Sequence, residues 1–427
     1  MRIFENLESE VRGYIRSFPT IFETSKGAVL TNEQGEDFID FFAGAGTLNY
    51  GHNNDHISKA LIEYIQKDGI IHGLDMATSA KKEFLQTFQD TILTPRNLDY
   101  KIQFTGPTGT NAVETALKLA RLVKGRSNIV SFTNGFHGLT QGSSSVTGNN
   151  DYRDESYISR SNASFMPYDG YFGPDINTMT YFRKFLEDSS SGLDIPAAVL
   201  VETIQGEGGI NVASKEWLQE LESICREYDI LLIVDDIQVG NGRSGEFFSF
   251  EFAGINPDII TMSKSIGGGL PMAIVLLKPD LDQWKPGEHT GTFRGNNLAF
   301  VAATVAINQY WQNDDLGNAV KYKEKIIKEE LQKIADKYKD DLEVEVRGRG
   351  LAYAFDIKGD TSMAGEISSF AFDEKLIVET CGSEDQIVKF LPPLVIDEET
   401  LIEGLKRLEK AVDRLVKEKK EKLSGEF

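Results

Sequence analysis

Cysteine is nearly missing from this chain: two occur in 427 residues, Cys225 and Cys381. Two thiols so far apart in sequence argue against a disulfide framework and for reduced side chains in a cytoplasmic protein. Long apolar runs are missing too. None approaches membrane-spanning length, and the opening MRIFENLESEVRG has no apolar signal core. A membrane partner is therefore not expected. Basic surplus is absent as well. Lys and Arg number 45 against 66 Asp and Glu, a net charge of −21. No excess cation remains to neutralise phosphates, which argues against nucleic acid and anionic membrane surfaces as partners. Histidine is scarce, with five residues at 52, 56, 72, 137 and 289. None has metal-ligand spacing; HNNDH reads as a polar loop, and no metal site is expected.

What is present suits a globular enzyme. Apolar content of 40% and charge of 26% are ordinary. Continuous apolar runs predict strands at 101–105, 128–133, 197–203, 231–236, 259–263 and 272–277. Such runs fit strands covered on both faces. Helical periods lie between some of them. NAVETALKLARLVKG puts Val113, Ala116, Leu117 and Ala120 on one face and stops at Gly125. KEWLQELESICREY spaces Trp217, Leu218, Leu221 and Ile224 in the same way. The alternation predicts an α/β fold with a mostly parallel sheet wrapped by helices. From about residue 300 long charged helices and short strands (EVEVRG, LAYAFDI, QIVKFLPPL) predict a smaller α+β domain. The expected division is an N-terminal segment 1–50 belonging to the small domain, a large domain 51–299 and a C-terminal small domain 300–427.

Chemistry concentrates at predicted strand ends. Open α/β sheets bind ligands outside the carboxyl ends of their strands. There LLIVDDIQ ends in Asp235, Asp236 and Gln238, AAVLVET ends in Glu202, and IITMSK ends in Lys264 just before GGG. KIQFTGPTGTN ends in a Gly/Thr turn that opens a helix, with Asn111 and Glu114 as a capping-box-like start. A lysine, an acid and a helix N-terminus at one edge are suited to a charged, phosphorylated cofactor. Each piece also has a plain reading: a solvated lysine, a capping aspartate, a loop.

The ordered motifs carry the reading further. TGPTGTNAVETALKLAR, NGFHGLT, VETIQGEGG, LLIVDDIQVGNGRSG, SKSIGGGLP and GTFRGNN, in that order and over nearly the whole chain, resemble the class III aminotransferases, pyridoxal-phosphate enzymes of fold type I. VRGYIRSFPTIFETSKGA, IDFFAGAGTLNYGHNN and NGFHGLTQGSSSVTGN resemble in particular the diaminobutyrate–2-oxoglutarate transaminases of ectoine biosynthesis. The resemblance implies a seven-stranded, mostly parallel sheet in a large PLP-binding domain. It implies that Lys264 bonds to the cofactor aldehyde, reacting as a neutral amine in a partly desolvated site. The glycines after it would let backbone approach the cofactor. Asp235 would keep the ring nitrogen protonated, Gln238 would bond the ring hydroxyl, and Phe136 would stack on the ring. Glu202 would belong to the cofactor site, and Gly109 and Thr110 would donate to the phosphate. Thr292 would reach the phosphate of a neighbouring subunit, implying a homodimer or an assembly of dimers.

The implied reaction moves an amino group from L-glutamate to L-aspartate 4-semialdehyde, giving L-2,4-diaminobutyrate and 2-oxoglutarate. A diaminobutyrate enzyme of siderophore or polyamine synthesis, or a broader ω-aminotransferase, stays open. Potassium is allowed as an accessory ion, although no cation motif is visible. Departures bear on carboxylate binding. Leu139 and Lys389 stand where relatives place arginines, Thr203 replaces a proline and Asp236 a glutamate. The expectation is that Lys389 pairs with Glu207 as a switch between substrates, and that Arg294 serves either substrate or a dimer surface. GNGRSG, residues 240–245, is a literal G-x-G-x-x-G. A dinucleotide site would need a helix to open on it, and the aromatic EFFSFEFAG that follows lacks that period.

Overall fold

The computed structural model describes residues 1–154, 156–157 and 162–424. The chain forms two compact units, one of residues 1–54 and 319–427, the other of residues 55–318.

The second unit is built on seven strands: β1 (Lys101–Phe104), β2 (Ile129–Phe132), β3 (Ala163–Met166), β4 (Ala198–Val201), β5 (Leu231–Asp235), β6 (Ile259–Met262) and β7 (Ile274–Leu277). Their order across the sheet is β1-β7-β6-β5-β4-β2-β3. β2 to β6 pair in parallel, whereas β7 runs antiparallel to both β6 and β1. Every residue of β2, β4, β5, β6 and β7 is buried, the outcome expected of runs such as LLIVD and IVLL when helices cover both faces.

Helix α1 (Gly109–Lys124) buries Val113, Ala116, Leu117 and Ala120 and ends at Gly125 with a left-handed φ of 61°. Its start differs from the sequence expectation. Thr108, not Asn111, is the cap, and its hydroxyl accepts the Asn111 N–H. Glu114 is thereby free to accept from the Gly142 N–H at 2.8 Å and the Thr140 hydroxyl at 2.6 Å. Helix α2 (Lys215–Glu227) is capped by Ser214 and buries Trp217, Leu218, Leu221 and Ile224. Helix α3 (Asn297–Tyr310) belongs to this unit and is capped by Asn296. No helix opens on residues 240–245; a short 3-10 turn at Glu251–Ala253 is the next element after β5.

The first unit holds two four-stranded sheets. One joins Phe22–Lys26, Val29–Asn32, Asp37–Asp40 and Leu376–Ile377. The other joins Val344–Arg349, Ala352–Ile357, Ile387–Phe390 and Glu379–Cys381, all antiparallel. Two long helices, Asp315–Lys337 and Glu398–Ser424, lie mostly or wholly in this part of the chain. Cys225 and Cys381 are both free and buried. No helix among the described residues is long and apolar enough to cross a membrane, and no group of three His, Cys, Asp or Glu is placed to hold a metal.

Candidate active site

The carboxyl ends of β4, β5 and β6 and the N-terminus of α1 face one cavity of about 190 Å³. Its wall takes Gly109, Thr110, Phe136, Glu202, Glu207, Asp235, Gln238 and Lys264 from the sequence-predicted set. It also takes His137, Gly138 and Ile237, which sequence reasoning had left out.

Lys264 follows the end of β6 and is half-buried. Its φ of +53° lies in the left-handed region, which a residue with a Cβ enters only at a cost. Among the glycines after it, Gly268 and Gly269 have positive φ of 62° and 94°. A Cβ on Gly268 would come within 2.9 Å of the Ala302 Cβ on α3, so glycine there allows the close approach to that helix.

Asp235 ends β5 and is buried. Its Oδ2 accepts from His137 Nδ1 at 2.7 Å, and its Oδ1 accepts the Ile237 N–H at 3.2 Å. Glu202 lies one residue beyond β4. It accepts the Phe136 N–H at 3.0 Å and the Gly206 N–H at 3.3 Å. Burial lifts its carboxyl to about 7; the His137 charge opposes the rise, the Asp235 charge adds to it, and the two backbone N–H groups oppose it. Burial works against a charged His137. The Asp235 hydrogen bond and the charges of Asp235 and Glu202 outweigh it, so the imidazole pKa stands above its ordinary value.

Gln238 Nε2 donates to Glu207 at 2.9 Å, so these two wall residues orient each other. Phe136 packs edge-on against Tyr152, with centroids 5.3 Å apart. At the helix start, Thr110 and Thr140 hydroxyls lie 2.7 Å apart. A Cβ on Gly109 would meet the Ile237 side chain at 3.1 Å, so glycine lets the start of α1 lie close against Ile237. Backbone N–H groups and a hydroxyl at a helix start suit a phosphate, an anchored carboxylate suits a ring N–H, and an aromatic and an aliphatic wall suit a flat ring. This donor set fits pyridoxal phosphate.

Two predicted residues stand elsewhere in this unit. Thr292 is exposed, its carbonyl accepting from His72 Nε2 at 2.9 Å. Arg294 bonds Asp75 at 2.6 Å and lines a separate cavity of about 520 Å³. Lys389 belongs to the first unit, where it is buried 3.0 Å from Glu379.

Comparison with known proteins agrees with this geometry. Residues 13–412 match the family model for aminotransferase class-III. The chain is 62% identical over 427 residues to a diaminobutyrate–2-oxoglutarate transaminase of Wolinella succinogenes, covering 100% of this chain and 99% of that one. It is 55% identical over 411 residues to the protein of that name from Halomonas elongata, covering 96% and 97%. Among solved structures, the ornithine aminotransferase from Toxoplasma gondii ME49 superposes with a TM-score of 0.84 at 23% identity, over 98% of this chain and 95% of that one. At that identity the likeness concerns the fold.

Proposed function

The chain belongs to the class III aminotransferases, and from that premise we propose that it moves an amino group from L-glutamate to L-aspartate 4-semialdehyde, forming 2-oxoglutarate and L-2,4-diaminobutyrate. The observation that carries the reading is the cavity in which Lys264, Asp235 and the N-terminus of α1 meet. The names of relatives at 55–62% identity support the choice of substrates.

Bound pyridoxal phosphate would supply an electron sink for the pair left when the substrate carbon loses its proton. The protein's residues do the rest. Gly109 and Thr110 would hold the phosphate with N–H and hydroxyl donors. Asp235 would present a carboxylate to the ring nitrogen and keep a proton there. Phe136 and Ile237 would bound the flat ring. Gln238 would donate toward the ring hydroxyl, and Glu207 would face the substrate side. Lys264 Nζ would accept the proton of the substrate carbon and give it up again, serving as base and then as acid. Glu202 holds the backbone at Phe136.

Thr292 is proposed to reach the phosphate of a second copy, so the working unit is a dimer or an assembly of dimers in the cytoplasm. Its exposed position supports that reading, and a fully active monomer by light scattering would overturn it. Lys389 and Arg294 are kept as substrate-carboxylate candidates. Potassium is kept as an accessory ion, read by activity in potassium against sodium salt. Diaminobutyrate made this way would enter ectoine synthesis as its first intermediate. The test of the reaction is a panel of amino donors and aldehyde acceptors on purified protein. Glutamate with aspartate 4-semialdehyde should give the highest kcat/KM, and a preference for an unrelated pair would overturn the substrate assignment.

A further inference from the structure

Thr110 and Glu114 stand one turn apart on α1, and the Thr140 hydroxyl joins them. Thr140 Oγ1 donates to Glu114 Oε1 at 2.6 Å and lies 2.7 Å from Thr110 Oγ1. The same Glu114 oxygen accepts the Gly142 N–H at 2.8 Å and the Ser143 N–H at 3.2 Å. A hydroxyl has one proton to give. That of Thr140 goes to Glu114, so Thr140 meets Thr110 as an acceptor, and the Thr110 proton points at Thr140. Thr110 lines the cavity, whereas Glu114 and Thr140 lie outside its lining. The Thr110 oxygens are held in place. The Thr140 N–H reaches Thr110 Oγ1 at 3.4 Å, and the Ser143 hydroxyl donates to the Thr110 carbonyl at 3.1 Å. Gly138 packs so closely that a Cβ on it would lie 2.5 Å from Thr110 Oγ1.

We propose that Glu114 competes with the cofactor phosphate for the hydroxyl relay of Thr140 and Thr110, and so loosens the grip on that phosphate. In this structure the relay runs from Thr110 to Thr140 to Glu114, away from the cavity. With a phosphate at the start of α1, both protons would turn round. Thr140 would give to Thr110 and Thr110 to a phosphate oxygen, with the threonine oxygens where they are. One charge-assisted bond is exchanged for another, and Glu114 is left with its two backbone donors. The phosphate is thereby held less tightly than the donors of the site alone would hold it, which keeps the cofactor exchangeable. The inference rests on the reading that the cavity takes pyridoxal phosphate.

The test uses Glu114→Gln, which keeps the accepting oxygen and removes the charge, Thr140→Val, which cuts the relay, Thr140→Ser, which keeps it, and Glu114→Gln combined with Thr140→Val. Each full-length protein, freed of cofactor, is titrated with pyridoxal phosphate and with pyridoxal by quenching of protein fluorescence, and with inorganic phosphate by calorimetry. Glu114→Gln should bind pyridoxal phosphate and inorganic phosphate about tenfold more tightly, the difference between a charged and a neutral acceptor. Thr140→Val should tighten both to a similar degree, the double variant should gain nothing over it, and Thr140→Ser should match the wild type. Pyridoxal, which lacks the phosphate, should bind all of these proteins alike. Weaker or unchanged phosphate binding in Glu114→Gln would overturn the proposal, and so would a change that pyridoxal shares. An equal gain from Glu114→Gln in the Thr140→Val background would overturn it too, because the charge would then act through space and not through the relay. If Thr140→Val does not fold, Thr140→Ala cuts the relay in its place. A wild-type protein that binds neither pyridoxal phosphate nor inorganic phosphate would fail the functional reading itself. One that binds both, with variants that do not tighten, would fail this proposal alone.

Discussion

Lys389 Nζ lies 3.0 Å from Glu379 Oε1, and the two residues stand opposite each other on adjacent antiparallel strands of the first unit. Lys389 is wholly buried and Glu379 nearly so. Removing one partner of a buried ion pair takes a counter-ion from a desolvated charge, although the Tyr14 hydroxyl, 3.5 Å from Glu379, stays. Lys389→Ala should therefore cost about 3–5 kcal/mol of stability. Replacing both partners by apolar residues of similar size, Lys389→Met with Glu379→Leu, should recover most of it. Urea unfolding of the three variants measures this. A loss below about 1 kcal/mol in Lys389→Ala would mean that the pair is well solvated.

Lys264→Ala should abolish turnover and the visible, borohydride-reducible cofactor band while the chain stays folded. The motive is its place at the end of β6 on the cavity wall. Its φ of +53° adds a second expectation. Lys264→Gly should be more stable than Lys264→Ala by about 0.5–1 kcal/mol, because glycine adopts that conformation without strain. A borohydride-reducible adduct persisting in either variant would remove Lys264 from the role.

Asp235→Asn should keep the cofactor bound and lose most activity. An amide can still accept from His137 but cannot hold a proton on the ring nitrogen by charge. Loss of at least a hundredfold in kcat with cofactor retained, read by absorbance of the gel-filtered protein, is the expected outcome. Turnover within a few-fold of wild type would leave the ring nitrogen to another group.

The sheet was legible because its strands are continuous apolar runs. β3 was the exception: ASFM is short, lies at the sheet edge and is only half covered, so no run marks it. The start of α1 was misplaced by three residues because Thr108 and Asn111 are both good caps, and only the backbone shows which one is extended. Lys264, Asp235, Glu202 and Gln238 could be read from sequence because each sits at or just beyond the carboxyl end of a readable strand. His137 could not, since its partner is 98 residues away and a histidine after an aromatic in a loop carries no period. The same holds for Arg294, whose partner Asp75 is 219 residues distant. A cation's sequence context announces its charge and leaves its counter-ion open.

Asp236 offers a stability test independent of the cofactor. It is wholly buried, and both oxygens lie near the Ser249 N–H, at 3.3 and 3.2 Å. Burial lifts its carboxyl from 3.8 to about 7; the Ser249 bonds oppose this, and the charges of Asp235 and Glu251 add to it. A carboxyl whose folded pKa is raised binds its proton more tightly in the folded state than in the unfolded one. The stabilisation it gives is fully present below about pH 4, declines as the unfolded chain ionises, and is gone above about pH 7. At about 1.4 kcal/mol per pKa unit, the change across that window is on the order of 4 kcal/mol. Glu202 titrates in the same sense, from 4.5 to about 7. Cofactor-free protein should therefore lose stability as pH rises from about 4 to about 7, more steeply than its other groups require. Asp236→Asn keeps the shape and an acceptor for Ser249 but removes the ionisation. Its stability should fall less across that window by about 2–4 kcal/mol, with Glu202 supplying part of the slope that remains. Urea midpoints at a series of pH values compare the two chains. Parallel curves would mean that Asp236 ionises in the folded protein as readily as in water, and that water or a cation reaches it.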